Sequence, residues 1–491
     1  MTPAAAATAA AGRPWLAALV LVGVLTALRL ALLPGIQHGL FGDEAQYWTY
    51  AVEPAFGYYS KPPLLPWLIG LATWIFGTSE AAVRLVAPLG HAGTALLVFA
   101  LAARLYDART ALWSAALYAT LPGVSFSATI ASTDVPLLAC WSAALLALAR
   151  LPDSRGPGWT LALGTALGLG LLAKYAMGYL LLGLAVHAIV DPAGRARLRD
   201  RRLWAGLGLG LLIWAPNLAW ALAHGGATLV HVVENANPGA PLWQPWEGLG
   251  FLGAQLGVAG PLVALALAAR LTLLPWRPAD TRERFLLAFS APVVGVILVQ
   301  ALRAGANANW AAVAYPAATI LAVAWTRRAT TAARRRLLGA TLAVHLVAQT
   351  ALAMLALLPP AARPAVVQPL FAEVTGWRTL ADEVDRRATA AGADTVLVDH
   401  RYPFAQLWFY SNGHLRPPRL QMRVWRDISN HYELRHPYRP APGETVLYIT
   451  DRAVPTTPEG TVRRRETVFT HDPPGAPARR YRFLVLRAGE V

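Results

Sequence analysis

The stretch WLAALVLVGVLTALRLALL, residues 15–33, is apolar except for Thr26 and Arg29. A helix needs roughly 20 apolar residues to cross a hydrocarbon core about 30 Å thick. Backbone groups inside lipid must bond within their own segment, so we expect a helix here. The run is longer than a signal-peptide core and no convincing cleavage site follows, so we predict an uncleaved anchor.

Ten further apolar runs predict a polytopic α-helical membrane protein with about eleven spans. They cover residues 82–104, 111–130, 134–150, 159–173, 175–190, 203–222, 248–269, 285–302, 310–326 and 337–358. Only 14% of the residues are charged and the mean hydropathy is +0.41. Soluble domains carry about 25% charged residues. The composition therefore excludes an ordinary soluble domain.

Arginine-rich segments set the predicted topology. They are Arg104 and Arg109; Arg150 and Arg155; Arg195, Arg197, Arg199, Arg201 and Arg202; Arg270, Arg277, Arg282 and Arg284; and Arg327, Arg328, Arg334, Arg335 and Arg336. All fall in alternate loops, which the positive-inside rule assigns to the cytoplasm together with the N-terminus. The net charge of +16 is thus explained without a nucleic-acid partner.

The tail after the last span is predicted to be a small extracytoplasmic α/β domain, residues 359–491, following a transmembrane part, residues 1–358. Prolines at 359, 360 and 364 mark the boundary, because proline ends helices. Short strand-like runs occupy Thr395–Val398, Thr445–Ile449 and Phe483–Leu486, with a helix-like run at Gly376–Ala391.

The first outward loop, residues 34–81, is long, aromatic and amphipathic, and we expect it to lie at the bilayer surface. Two adjacent carboxylates, Asp43 and Glu44, follow the first span within it. Isolated acidic pairs are commonly just solvated, and that alternative stays open for these two.

Lysine is nearly absent, since among 43 basic residues only Lys61 and Lys174 are lysines. Both fall in predicted outward loops, and a compact ammonium is a good partner for phosphate. The alternative is an interfacial anchor whose charged end reaches out of the bilayer.

The single cysteine, Cys140, excludes a disulfide within the chain and makes a thiolate metal site implausible. Another outward loop offers Glu234, Asn235 and Asn237, with His231 nearby, as ligands for a sugar or a divalent ion. Solvation explains these four residues equally well, so no cofactor is assigned and a divalent metal ion stays open.

Several motifs, taken in order, resemble glycosyltransferase family 39. They are Asp43-Glu44 with Tyr47; Tyr59-Ser60-Lys61-Pro62-Pro63; Gly77 to Arg84; Ser132-Thr133-Asp134-Val135-Pro136; Leu172-Ala173-Lys174-Tyr175; Glu234-Asn235-Ala236-Asn237; Asn309 to Tyr315; and, in the tail, Arg401 to Tyr410. The resemblance implies a GT-C fold, a polyprenyl-phosphate-linked sugar donor, inversion, and an active site between the first outward loop and the membrane. Some aminoarabinose transferases of this family carry a carboxylate where this chain has Ser60, which argues against that sugar here.

The reaction class assigns roles to the carboxylates. Transfer needs a base for the acceptor hydroxyl, and Asp43 is the first choice. Glu44 ranks below Asp43 and shares the base role or binds the sugar. Asp134, where a span begins, orients the acceptor, supports the base, or only caps its helix.

The leaving phosphate and the sugar predict further site residues. Preorganised cations should meet the phosphate. Lys61 is the first candidate, followed by Lys174 and Arg303, with Tyr315 as a hydroxyl donor. The predicted substrate-binding residues are Tyr47, Tyr59, Glu234, Asn235 and Asn237.

These features together predict a bacterial inner-membrane glycosyltransferase acting on the periplasmic side. Its acceptor is lipid A or its core, another envelope glycan or lipid, or a protein Ser/Thr. A flippase for lipid-linked saccharides is the main alternative, although its usual mid-span charges and repeats are not evident. A non-catalytic assembly or sensor protein leaves Asp43 and Lys61 unexplained.

The charge pattern makes a topological prediction. A reporter fused after Val491 should be active only in the periplasm, because an odd number of spans that starts inside ends outside. A signal from the cytoplasm would contradict the topology.

Overall fold

The computed structural model describes residues 3–153, 155–226, 239, 243–272, 280–328, 332–425 and 428–489. The chain divides into two compact units. The helical unit comprises residues 1–33, 61–65 and 84–353. The α/β unit comprises residues 34–60, 66–83 and 354–491, so it includes most of the first predicted outward loop as well as the tail.

The described helices before the tail are numbered in chain order. They are α1 Pro3–Leu32, α2 Gly42–Val52, α3 Leu64–Phe76, α4 Glu80–Arg84, α5 Val86–Leu105, α6 Ala108–Thr120, α7 Pro122–Ser127, α8 Asp134–Arg150, α9 Gly158–Ala173, α10 Tyr179–Val190, α11 Pro192–Leu198, α12 Arg201–Ala223, α13 Pro245–Val258, α14 Gly260–Thr272, α15 Thr281–Ala288, α16 Ala291–Ala304, α17 Tyr315–Arg327 and α18 Ala332–Leu357. Short 3₁₀ turns occupy Leu33–Gly35, Leu151–Asp153, Tyr175–Gly178, Ala308–Ala314, Pro360–Ala362 and Gln368–Val374.

The polytopic helical fold is confirmed. Within the described residues, seven helical segments are long and apolar enough to cross a membrane: Arg13–Gly35, Glu80–Leu105, Asp134–Asp153, Arg201–Ala223, Thr281–Ala304, Ala308–Arg327 and Arg336–Leu357. Shorter apolar helical segments lie at Gly158–Ala173, Tyr175–Val190 and Gly260–Thr272. Some of the eleven predicted spans are broken in the structure. The span predicted at 248–269 divides into α13 and α14 at Gly260, whose φ is +73°.

Glycine allows α9 and α12 to pack closely in the helical unit. A Cβ on Gly168 would lie 2.6 Å from the Cβ of Ile213, and one on Gly210 would lie 2.7 Å from Leu167 Cδ2. Small residues at such crossings let helix backbones approach when lipid offers no hydrophobic driving force. The pattern of glycines therefore fixes how these two helices meet.

Ion pairs connect the arginine-rich loops of the helical unit to one another. They join Arg104 to Asp153 at 2.5 Å, Arg284 to Asp191 at 2.6 Å, Arg327 to Asp107 at 2.7 Å and Arg328 to Asp280 at 2.7 Å. Every pair connects two different loops that were predicted to share one side of the membrane. The alternation of loops thus agrees with these contacts, and the side that each set faces stays a prediction.

The tail forms a five-stranded mixed sheet with the strand order β2-β1-β3-β5-β4. Its strands and helices are β1 Thr395–Val398, β2 Leu420–Met422, β3 Thr445–Thr450, β4 Thr461–His471, β5 Arg479–Ala488, α19 Trp377–Ala390, α20 Arg401–Tyr410 and α21 His431–Arg435. β1 runs parallel to β2 and β3, whereas β5 pairs antiparallel with β3 and β4. The three predicted strands and the predicted helix are present. β2 and β4 were not predicted, because β2 is very short and β4 is polar and mostly exposed.

One tyrosine hydroxyl connects the first loop to the tail within the α/β unit. Tyr410 Oη accepts a hydrogen bond from the Leu40 N–H at 2.8 Å and donates to Glu80 at 2.7 Å. The side chain of Gln406, one turn earlier on α20, donates to the Leu40 carbonyl at 2.8 Å. Residues far apart in the sequence are therefore held together at one point of α20.

Tyr410→Phe should lower the stability of the α/β unit by about 1–3 kcal/mol, because it leaves a buried N–H and a carboxylate without their shared partner. Thermal unfolding of the purified protein in detergent checks this. Tyr179→Phe is the control, since the Tyr179 hydroxyl has no hydrogen-bond partner among the described residues. Equal melting temperatures for Tyr410→Phe and wild type would refute the role of the hydroxyl.

Candidate active site

Asp43 lies in the first turn of α2 and contacts α20 within the α/β unit. Its Oδ1 accepts a hydrogen bond from the Tyr402 hydroxyl at 3.3 Å, and Arg401 Nη2 donates to that hydroxyl at 2.8 Å. Tyr402 lies so near that a Cβ on Gly42 would come within 2.4 Å of its ring. Glycine at position 42 therefore permits the close approach that places Tyr402 at Asp43.

Tyr402 and Arg401 keep their protons beside this carboxylate. Burial and the charge of Asp43 both raise the pKa of Tyr402 above its ordinary value. Burial acts to lower the pKa of Arg401, but the neighbouring Tyr402 and Asp43 more than offset it and raise the pKa overall. Asp43 thus has a hydroxyl donor and a permanent cation nearby, while its own side chain is partly exposed.

Glu44 holds the start of α2. It is fully buried, and its Oε2 accepts the Phe41 N–H at 2.9 Å. This contact satisfies a backbone donor at the helix N-terminus, where a carboxylate is also favoured by the helix dipole. The two adjacent carboxylates therefore differ in environment, and the partly exposed Asp43 is the better candidate for proton transfer.

The two predicted tyrosines of the first loop are both buried in the α/β unit. The Tyr59 hydroxyl donates to the Ile428 carbonyl at 2.9 Å, and the Tyr59 N–H donates to His431 Nδ1 at 3.4 Å. Tyr47 is buried on α2. Both side chains are packed inside the unit, and their contact with substrate stays a prediction.

In the helical unit, Asp134 joins three segments. Lys174 Nζ lies 2.8 Å from Asp134 Oδ1, and Asn309 Nδ2 donates to Oδ2 at 2.6 Å. Asp134 begins α8, Lys174 follows α9, and Asn309 lies in the 3₁₀ turn before α17. Both carboxylate oxygens bind side chains from other segments, so capping of α8 alone does not account for this residue.

The same 3₁₀ turn leads to Tyr315, which is buried and donates a hydrogen bond to Gln255 of α13. The Gln255 amide in turn donates to the Ala308 carbonyl at 3.3 Å. Arg303, in the last turn of α16, has an exposed side chain, and its carbonyl accepts from Gln244 at 2.7 Å. The turn that carries Asn309 is therefore fixed at both ends by hydrogen bonds.

Lys61 is partly buried, and Pro62 and Pro63 after it are buried. Two successive prolines restrict the backbone that follows the lysine. Glu234, Asn235, Asn237 and the neighbouring His231 lie outside the described residues. Among the residues that the structure describes, no three His, Cys, Asp or Glu side chains are grouped as metal ligands would be.

Similarity to known proteins identifies the family. The family described as dolichyl-phosphate-mannose-protein mannosyltransferase matches residues 60–220. A lipid A galacturonosyltransferase of Rhizobium johnstonii is 33% identical over 392 residues, which cover 80% of this chain and 82% of that protein. The chain belongs to glycosyltransferase family 39. The resemblance read from the motifs is thereby confirmed, and the protein is a membrane glycosyltransferase.

Other relatives of this family 39 member match less of its length or only its fold. An undecaprenyl phosphate-alpha-4-amino-4-deoxy-L-arabinose arabinosyl transferase of Pectobacterium atrosepticum is 33% identical over 34% of this chain and 30% of that protein. The crystal structure of ArnT from Cupriavidus metallidurans bound to undecaprenyl phosphate superposes with a TM-score of 0.63 at 15% identity, covering 95% of this chain and 98% of that one. This superposition confirms the GT-C fold.

Sequence reasoning assigned no role to Arg401, Tyr402, Asn309 or Gln255 in this family 39 enzyme. The first three lie inside segments that carry the family resemblance. The motifs therefore included these residues, but no chemical argument from the sequence gave them a role. Arg401 and Tyr402 are separated from Asp43 by about 360 residues of sequence, and no spacing rule connects them. Gln255 lies within an apolar span, where a polar side chain needs a partner.

The contact of Asp134 with Lys174 predicts that substitutions at these two residues have strongly coupled effects on stability. Asp134→Asn and Lys174→Met should each lower the melting temperature, and the double variant should be little worse than either. The expected coupling free energy is about 1 kcal/mol or more, because each single change leaves the other group without its partner. A double-mutant cycle on thermal unfolding in detergent measures it.

The exposed pair of Asp280 and Arg328, 2.7 Å apart, is the control. Its cycle of Asp280→Asn and Arg328→Met should give a coupling of about 0.5 kcal/mol or less. Additive losses at Asp134 and Lys174 would show that their contact has no energetic role.

Proposed function

We propose that this family 39 enzyme transfers one sugar from a polyprenyl-phosphate carrier to lipid A on the extracytoplasmic face, with inversion at the anomeric carbon. The observation that carries the proposal is the partly exposed Asp43 carboxylate, held by Tyr402 at 3.3 Å, in a chain related over most of its length to a lipid A galacturonosyltransferase. The relatives named for undecaprenyl-phosphate sugars support the same type of donor.

The proposed reaction uses Asp43 as general base. An acceptor hydroxyl attacks the anomeric carbon and its proton passes to the Asp43 carboxylate. The bond between the anomeric carbon and the phosphate oxygen breaks, and polyprenyl phosphate leaves with the electron pair. Tyr402 orients the carboxylate by its hydrogen bond, and Arg401 fixes Tyr402 through its own bond at 2.8 Å.

Cations are proposed to stabilise the leaving phosphate, whose negative charge grows as the bond breaks. Lys61 is the first candidate, and Arg303 is an exposed second one. Lys174 already binds Asp134 at 2.8 Å, which suits a positioned cation that is fixed before the donor arrives. Tyr315 donates its hydroxyl to Gln255, so its proposed role as a donor to phosphate requires that bond to be shared or exchanged.

The test is release of polyprenyl phosphate. Purified protein in liposomes receives a panel of polyprenyl-phosphate sugars, beginning with galacturonic acid, together with lipid A as acceptor. Wild type should consume one donor, and Asp43→Asn should be slower by about 100-fold or more, because general-base catalysis contributes about 10²–10⁴. Mass spectrometry of the lipid A product identifies the sugar.

The matched control is Asp382→Asn, which neutralises an exposed aspartate on α19 and should keep wild-type turnover. Undiminished turnover in a folded Asp43→Asn protein would remove Asp43 from the reaction. Movement of labelled carrier lipid across the bilayer without consumption of any donor would replace the transferase with a flippase.

A further inference from the structure

A cavity of about 940 Å³ opens in the α/β unit, and none of the predicted site residues lines it. Aromatic, acidic and basic side chains line it, among them Trp48, Trp408, Phe409, Glu53, Glu80, Arg378 and Arg416. Its volume lies at the upper end of the range of about 300–1,000 Å³ that is usual for small-molecule sites. The size therefore admits a ligand larger than one sugar ring.

Three aromatic side chains form a rigid wall of the cavity. Trp48 of α2 packs edge-on against Phe409 at 5.0 Å and against Trp408 at 6.2 Å between ring centroids. All three are largely buried in the protein, so their orientations are fixed by packing. Fixed aromatic surfaces suit the apolar face of a sugar ring, because little side-chain freedom is lost on binding.

The two acidic residues of the cavity already have hydrogen-bond donors. Glu80 accepts from the Tyr410 hydroxyl at 2.7 Å, and Glu53 accepts from His436 Nε2 at 3.0 Å. Burial acts to raise the pKa of Glu53, but the hydrogen bond and charge of His436 and the charge of Arg435 lower it overall. Both carboxylates keep lone pairs that suit sugar hydroxyl donors.

The two arginines of the cavity differ from its acids. Arg378 and Arg416 are exposed, and neither forms an ion pair with any carboxylate in the part of the chain that the structure describes. Arg378 lies over the Tyr410 ring at 5.3 Å, which restrains its guanidinium without satisfying its donors. Guanidinium groups bind phosphate through paired hydrogen bonds, so the chemistry of these two side chains suits a phosphate in the cavity.

We propose that this cavity binds the phosphorylated saccharide of the acceptor lipid, with Arg378 and Arg416 on its phosphate, the acids on its hydroxyls and the aromatic wall on a sugar face. The inference rests on the proposed function for the identity of the acceptor. It assigns acceptor recognition to the α/β unit, through residues that take no part in the proposed chemical step.

Binding tests the proposal without turnover. The full-length protein in nanodiscs is titrated with the deacylated glucosamine disaccharide of lipid A in its bisphosphorylated form and in its phosphate-free form. Arg378→Gln and Arg416→Gln should each weaken binding of the bisphosphorylated disaccharide by about 10-fold, the effect of losing one charge-assisted contact. Binding of the phosphate-free disaccharide should not change between the variants and wild type.

The control is Arg480→Gln on β5, an equally exposed arginine that does not line the cavity and should leave both affinities unchanged. Unchanged binding of the bisphosphorylated form by both cavity variants would overturn the proposal. So would an equal loss for Arg480→Gln, or an equal loss for both ligands. Inorganic phosphate competing as strongly as the disaccharide would overturn the saccharide assignment.

The binding role of the cavity and the transfer reaction can be refuted by different results. At limiting lipid A, Arg378→Gln and Arg416→Gln could consume the donor as efficiently as wild type. That result would retain the transferase reaction and refute the binding role of the cavity. Phosphate-selective binding without consumption of any donor would refute the transferase reaction and retain the binding site.

Discussion

The backbone of this chain has no water to bond with inside the bilayer, and the rest of the helical unit follows from that constraint. Helices satisfy every internal N–H and C=O, so the long apolar runs become helices. Charged groups then collect at helix ends, where they find water or each other. The arginine-rich loops pair with aspartates in neighbouring loops, and Asp134 joins Lys174 and Asn309 in loops of the other set.

Arg29 shows how the helical unit accommodates a charge within an apolar span. It is buried, and its guanidinium donates to the Ala119 carbonyl at 2.6 Å and to Gln349 Oε1 at 2.7 Å. Ser125 donates to the same Gln349 oxygen at 2.9 Å. A buried guanidinium without such partners would be very costly. The arginine therefore ties α1 to α6 and α18 and has a structural explanation.

Within the α/β unit, side chains of the tail contact a predicted catalytic carboxylate. Asp43 comes from the loop after the first span, but its neighbours Tyr402 and Arg401 come from α20. The Tyr410 hydroxyl fixes that helix to Leu40 and Glu80 at the same time. The tail thus contributes to the surroundings of the first loop through the side chains of α20. A substitution in α20 is therefore expected to change the surroundings of Asp43.

The sequence alone determined what depends on local pattern. Hydrophobic length determined the helical membrane fold, arginine placement predicted the sidedness, and short apolar runs located three of the five tail strands. Motif order identified the family and pointed to Asp43, Asp134 and the two lysines. Only the tertiary structure decided which groups meet. The contacts of Asp134 with Lys174 and of Asp43 with Tyr402 join residues 40 and 359 positions apart, and contacts of that kind depend on packing that no local spacing records. The cavity with Arg378 and Arg416 is likewise a product of folding, because its walls come from α2, the turn before α4, and the tail.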